Sequence, residues 1–173
     1  MFSFLKALFT PAPPVPSSIY DFRVPALNGD VIDFSAFRGK KIMIVNTASL
    51  CGHTPQYAEL EELSQRFKDK LVIVGFPCNN FLFQEPGTAK MISDVCHIKY
   101  RVTFPMAAKV SVKGPLTAPI YRWLTNSRYN KLGDSVVKWN FQKYLINEEG
   151  RLICVFTPAA SPLAPEVISA IEG

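Results

Sequence analysis

Two short apolar runs, Ile42-Met43-Ile44-Val45 and Leu71-Val72-Ile73-Val74-Gly75-Phe76, flank one segment with helical spacing. Both are rich in β-branched residues and lack polar alternation, the pattern of a strand covered on both faces. Between them Tyr57, Leu60, Leu63 and Phe67 recur every three or four residues and give a helix one apolar face. Thr54 suits an N-cap and Pro55 a first helical position, where a missing N–H costs nothing, so a helix is expected from Pro55 to about Lys68-Asp69-Lys70. A buried strand, a helix and a second buried strand commit the chain to an α/β arrangement.

Cys51 lies between the first run and that helix, in Asn46-Thr47-Ala48-Ser49-Leu50-Cys51-Gly52-His53-Thr54-Pro55-Gln56-Tyr57. Unpaired N–H groups and the macrodipole at a helix N-terminus favour an anion, and the thiolate is the nucleophilic form of cysteine. Cys51 is therefore the candidate reactive group.

The rest of the chain follows the same architecture. Ile19 to Val24, with Tyr20, Phe22 and Val24 alternating with polar neighbours, reads as a strand, and Asn28-Gly29 before Val31, Ile32 and Phe34 signals a hairpin. Pro77 to Gly87 is a loop, Thr88 caps a helix through Cys96, and Phe104 to Val110 is irregular or extended. Leu116 to Leu124 reads as a helix in which Tyr121 and Trp123 pack. Phe141–Asn147 and Arg151–Phe156 form a hairpin around Glu148-Glu149-Gly150, and Pro165–Ile171 is a final helix. With 173 residues, 48% hydrophobic and 19% charged, the chain suits one domain with a sizeable core. The expected division is a tail over 1–18 and a domain over 19–173.

The totals exclude several classes. A net charge of +5 from scattered Lys and Arg gives no basic stripe for nucleic acid. The four cysteines, Cys51, Cys78, Cys96 and Cys154, contain no C-x-x-C pair, and with two histidines there is no zinc spacing. They do not form a secreted disulfide scaffold either, so reduced thiols and a cytoplasmic location are expected. Met1 to Thr10 is greasy, but Pro11, Pro13, Pro14 and Pro16 stop it short of the ~20 residues of a membrane span. It reads as a tail or packing arm, with weak contact to a membrane surface as the alternative.

Three blocks carry a resemblance to the glutathione peroxidase family in its cysteine form: Val45 to Tyr57, Gly75-Phe76-Pro77-Cys78-Asn79-Asn80-Phe81-Leu82-Phe83-Gln84-Glu85-Pro86-Gly87, and Lys138-Trp139-Asn140-Phe141. The resemblance extends over roughly residues 19 to 171. It implies a thioredoxin-like fold, a central mixed sheet flanked by helices with an extra N-terminal β-hairpin, in which Cys51-Gly52-His53-Thr54 sits where a thioredoxin has C-x-x-C. It also implies that Cys51 is the peroxidatic residue and that Gln84, Trp139 and Asn140 complete a catalytic tetrad. Amide and indole N–H groups suit that task, since they stabilise anionic sulfur and oxygen without a fixed ion pair that would dull the nucleophile. Val95-Cys96-His97-Ile98-Lys99-Tyr100-Arg101-Val102-Thr103-Phe104-Pro105 resembles the block that bears a resolving cysteine in thioredoxin-linked members, which implies Cys96 in that role. A buried structural cysteine is the alternative. If the sulfurs start far apart, the helix holding Cys96 must partly unwind, because a disulfide needs Cα atoms within ~7 Å.

The resemblance thus implies a thiol peroxidase that reduces hydrogen peroxide and organic or lipid hydroperoxides, needs no metal or other cofactor, and is recycled by thioredoxin. Glutathione is the alternative reductant, although no arginine cluster suits its carboxylates. A peroxide sensor without turnover and a thiol–disulfide oxidoreductase are the rival readings, the second opposed by Thr54 in place of a second cysteine. Cys78 and Cys154 read as structural, and His53 as a surface side chain. Asn80, Leu82 and Phe83 depart from the common N-Q-F-G-G pattern and make the approach to the site more apolar. Arg101 and Ala107 replace an expected glycine and aromatic residue in the resolving region. The short stretch from Tyr129 to Val137 points to a monomer or weak dimer.

Overall fold

A computed structural model describes residues 11–173. Its strands are β1 (Arg23–Pro25), β2 (Val31–Asp33), β3 (Lys41–Thr47), β4 (Leu71–Pro77), β5 (Lys143–Ile146) and β6 (Leu152–Phe156). Its α-helices are α1 (Gln56–Arg66), α2 (Ala89–Ser93), α3 (Pro119–Thr125), α4 (Ser127–Asn130) and α5 (Pro165–Glu172). β1 and β2 form the expected antiparallel hairpin, with Gly29 at φ 92° in its turn. The main sheet has the order β4-β3-β5-β6; β3 and β4 are parallel, β5 runs against β3, and β6 runs against β5 and so in the direction of β3.

Alternation along β3 divides the core. Ile42 and Ile44 face a layer that contains Phe34, Phe76, Tyr121, Trp123, Leu124 and Tyr144. Met43 and Val45 face the opposite layer, with Tyr57, Leu60 and Leu63 of α1 and Val167 and Ile171 of α5. Every residue of β3 is buried, which explains its unbroken apolar run. Lys41, at the start of β3, reaches Glu148 in the β5–β6 turn at 2.7 Å. Lys143 Nζ donates to the carbonyls of Pro158 and Ala160 at 3.1 and 2.6 Å and ties the segment after β6 back to the sheet.

Three local expectations need correction. Ile19–Asp21 is a 3₁₀ turn, not strand, because the Ser18 side chain accepts from the Tyr20 N–H and turns Tyr20 inward. The helix begun by Thr88 is α-helical only to Ser93 and continues from Asp94 to Lys99 as a π-helix. The third helix starts at Pro119 rather than Leu116, which is exposed. Of the expected tail, 11–18 is irregular and runs beside α3, where the Trp123 indole donates to the Ser17 carbonyl at 3.2 Å. The greasy segment Met1 to Thr10 lies outside the described residues. Among the described residues no helix is long and apolar enough to cross a membrane.

Gly150 in the β5–β6 turn has φ 82°, and a Cβ there would stand 2.6 Å from Tyr20 Cε2. Gly150→Ala combines left-handed backbone strain with a clash and is expected to lower unfolding free energy by about 2 kcal/mol or more. Urea denaturation measures it, and loss of the effect in a Gly150→Ala, Tyr20→Leu double variant would assign its steric part.

Candidate active site

The site forms beyond the carboxyl ends of β3 and β4, where the chain leaves the sheet and backbone groups lose their ladder partners. After β3 the chain turns through Ser49 and Leu50 to Cys51, which is 8% exposed. Thr54 was expected to cap the helix. Instead its hydroxyl accepts from the Cys51 N–H at 3.0 Å and donates to the Ala48 carbonyl at 2.8 Å. Overlapping turns, Thr54 N–H to Cys51 carbonyl and Gln56 N–H to His53 carbonyl, then wind the chain into α1. Thr54 therefore holds the cysteine loop in shape. The His53 N–H donates to Cys51 Sγ at 3.3 Å, so the donor on the sulfur comes from the turn ahead of the helix.

The segment after β4 brings Gln84 to this loop. Its carbonyl accepts from the Leu50 N–H at 3.0 Å, and its Oε1 accepts from Asn140 Nδ2 at 2.9 Å. Asn140 is fully buried, and Trp139 packs against Phe81 with ring centroids 5.4 Å apart. Trp139 packs against both core layers, the second of which includes Cys51. The structure thus gathers the segments bearing Cys51, Gln84, Trp139 and Asn140 at one end of the sheet. Among the described residues neither Gln84 Nε2 nor Trp139 Nε1 has a protein acceptor, so both N–H donors are unspent.

Sequence reasoning passed over Asn46 as a functional residue. This buried side chain donates to the Trp139 carbonyl at 3.0 Å and accepts from the Gln142 N–H at 3.2 Å, while its own carbonyl accepts from the Phe141 N–H at 2.6 Å. A polar side chain among the buried residues of β3 was the available signal, since such a group must find partners.

All four cysteines are free thiols. Cys96 is fully buried in the π-helix, in the same layer as Cys51, and burial pushes its thiol up to about 11. Its Sγ donates to the Ser93 carbonyl at 3.8 Å and otherwise packs within that apolar layer. Cys154 is half-buried and packs on that layer, as expected of a structural residue. Among the described residues no group of three or more His, Cys, Asp or Glu side chains could hold a metal ion.

Glu85 follows Gln84 and is fully buried with neither carboxyl oxygen hydrogen-bonded; the nearby Ser49 hydroxyl is also unpaired. Burial pushes the Glu85 carboxyl above its ordinary value, and the proximity of Ser49 opposes this only in part. A cavity of about 110 Å³ lies against Glu85 and is otherwise lined by Ser49, Leu50, Ile92, Val95 and their neighbours.

Comparison with known proteins gives the family and the fold. Residues 19–125 match the family described as "Glutathione peroxidase". The chain is 41% identical over 147 residues to "Glutathione peroxidase-like peroxiredoxin 2" of Saccharomyces cerevisiae, covering 84% of this chain and 91% of that protein. It is 44% identical over 146 residues to "Glutathione peroxidase homolog BsaA" of Staphylococcus epidermidis, covering 84% and 92%. The crystal structure of "Trgpx in apo form" superposes with a TM-score of 0.69 at 36% identity, covering 90% of this chain and 96% of that one. A thioredoxin-family thiol:disulfide interchange protein from Chlorobium tepidum, at 12% identity and a TM-score of 0.64, covers 95% of this chain and 100% of that one. At that identity it shows only that the fold is thioredoxin-like.

Glu85 sets a pH dependence. Its folded-state pKa is raised, so above the ordinary 4.5 the native state keeps a proton that the unfolded chain releases, until the raised value is passed. Stability contributed by this group falls as pH rises through that window. Glu85→Gln is expected to melt higher than the parent at neutral and alkaline pH, with the gap closing toward pH 4.5. Thermal melts of both proteins across pH check it.

Proposed function

Because the chain belongs to the glutathione peroxidase family, we propose that it is a thiol peroxidase whose nucleophile is Cys51. The observation that carries the reading is the pairing of a sulfur held in a fixed turn with unspent neutral N–H donors on Gln84 and Trp139. The Cys51 thiolate attacks the terminal oxygen of a hydroperoxide and the O–O bond breaks. The departing alkoxide takes a proton and leaves as water or alcohol, and the sulfur becomes a sulfenic acid. Gln84, Trp139 and Asn140 are read as the groups that steady the charge moving from sulfur to oxygen.

Cys96 is read as the resolving thiol, which condenses with the sulfenic acid to a disulfide and releases water. A dithiol reductant of thioredoxin type then returns two electrons. Two features support this reading. Cys96 shares a core layer with Cys51, and it sits in a π-helix, a rare form that recurs at functional sites. The Tyr100 N–H to Val95 carbonyl bond at 3.2 Å closes one such wide turn. Opening that helix frees a thiol that is otherwise buried and protonated. A reducing, cytoplasmic setting and a monomer or weak dimer belong to the same reading.

The substrate class is read from Leu82 and Phe83. Both have positive φ, 51° and 54°, where L-residues are strained by about 1–2 kcal/mol each. Yet their side chains are 75% and 77% exposed, so packing returns little of that cost. Leu50, 65% exposed, donates its backbone N–H to the carbonyl of Gln84, the residue that follows Phe83. An apolar rim kept at a cost in stability suits organic or lipid hydroperoxides rather than hydrogen peroxide alone.

A coupled assay with thioredoxin, its reductase and NADPH tests the core of the reading. Cys51→Ser is expected to abolish hydroperoxide consumption. Cys96→Ser should retain one stoichiometric oxidation but lose turnover with thioredoxin; full turnover in that variant would remove Cys96 from the cycle. The rim has its own test. Leu82→Gly with Phe83→Gly is expected to raise stability by about 1 kcal/mol per position by relieving the backbone. The same pair should slow reaction with cumene hydroperoxide about fivefold, equivalent to roughly 1 kcal/mol of lost apolar contact, and spare hydrogen peroxide.

A further inference from the structure

Cys78, fully buried at the end of β4, lies between two buried amides: Asn46 Nδ2 donates to its Sγ at 3.6 Å, and its Sγ donates to Asn140 Oδ1 at 3.5 Å. We propose that Cys78 is a positioning residue, whose S–H passes the fixed orientation of the Asn46 amide to Asn140 and through it to Gln84, so that Gln84 presents N–H rather than C=O to the reacting peroxide. This extends the role read above for Gln84 and rests on it.

The argument is one of hydrogen-bond polarity. Amide oxygen and nitrogen are alike in shape, so only partners decide which way an amide faces. Asn46 is decided by the backbone: a main-chain N–H, from Gln142, fixes its oxygen, and a main-chain carbonyl, from Trp139, fixes its nitrogen. With its acceptor side taken by Asn46 Nδ2, the Cys78 sulfur has its S–H left to give. The Asn140 oxygen takes that proton, which turns Asn140 Nδ2 toward Gln84 Oε1 at 2.9 Å. Gln84 has then spent its oxygen and kept its Nε2 protons.

The reversed arrangement would cost the site its donor. If Asn140 Nδ2 faced the sulfur, Asn140 Oδ1 would face Gln84 and draw Nε2 to itself, which turns Gln84 Oε1 to the position where Nε2 now stands. A side chain at position 78 with no hydrogen to give leaves both arrangements open. Burial also keeps the thiol in its donor form, raised to about 11, with the Asn46 contact opposing the shift. Cys78 lies in the layer with Phe76 and Tyr121, and Cys51 and Cys96 in the other, so its part is in orientation rather than thiol exchange.

The test compares Cys78→Ala, which has no donor, with Cys78→Ser, which has one on a shorter arm. Each variant's Cys51 is followed in single turnover by peroxide oxidation and by iodoacetamide alkylation, with rates normalised to titrated native thiol. The alkylation needs the sulfur but no donor on an O–O bond. Cys78→Ala is expected to slow oxidation about tenfold, a part of the 10²–10³ lost with a direct donor, and to spare alkylation. Cys78→Ser should recover part of the loss. An unchanged oxidation rate in Cys78→Ala, an equal fall in both reactions, or no recovery in Cys78→Ser would each overturn the proposal. A second arm reads the side-chain amide resonances of Asn140 and Gln84 in ¹⁵N-labelled protein. They should move in Cys78→Ala and return toward the parent in Cys78→Ser, and resonances unmoved in Cys78→Ala would overturn the relay. If parent Cys51 does not react with peroxide, the peroxidase reading fails and this arm still decides the relay.

Discussion

The buried amide of Asn46 is the interaction on which the site depends. It stands at the end of the central strand and bonds in two directions, to the Trp139–Gln142 segment and to Cys78 at the end of β4. Each such bond adds about 0.5–1.5 kcal/mol net, but a buried group left without its partner costs about 1–3 kcal/mol. Loss of Asn46 would strand the Gln142 N–H and the Trp139 carbonyl together. That asymmetry makes the connection close to all-or-none, so the loop carrying Trp139 and Asn140 takes one position relative to β3. Phe141 records the force of it: this fully buried residue is held at φ 66° and packs edge-on against Tyr57 at 5.4 Å.

Backbone strain and function coincide here, but in two ways. The strain at Phe141 is offset by a buried ring in contact with its neighbours, an ordinary exchange of local cost for packing. Leu82 and Phe83 have no such return, since both side chains face solvent. Arg101, at φ 56° just past the π-helix, adjoins the third segment tied to the proposed chemistry. Fixed strain thus lies beneath the donors, and uncompensated strain where substrate would arrive.

Much of the fold was legible because its signals are local. The apolar runs at Ile42 and Leu71, the spacing of Tyr57, Leu60 and Leu63, and Asn28-Gly29 each specify an element from within a few residues, and each was found. The segments that converge on Cys51 were legible only through the resemblance, for no periodicity relates residue 51 to residues 84 and 140. Local signals failed where a single hydrogen bond redirected them. Ser18 turned an alternating run into a 3₁₀ turn, and Thr54 spent its hydroxyl on the cysteine loop rather than on the helix. Asn46, Cys78 and Asn140 fall on three separate segments, so their chain of polarity exists only after folding and no sequence pattern carries it.

Cys78 and Cys96 show how far surroundings, rather than burial, decide a thiol's part. Both are fully buried, and burial pushes both up to about 11. Cys78 directly follows β4, donates its N–H to the Thr47 carbonyl of β3 at 3.0 Å and touches two buried amides, so exposing it would break the sheet end and the proposed donor chain together. Cys96 belongs to a six-residue π-helix and its side chain donates to one carbonyl, at 3.8 Å, so the opening that frees it disturbs a short element. The two lie in opposite core layers. In the proposed cycle, a motion that delivers Cys96 to Cys51 would therefore leave Asn46, Cys78 and Asn140 in register, with the proposed donor geometry intact for the next peroxide.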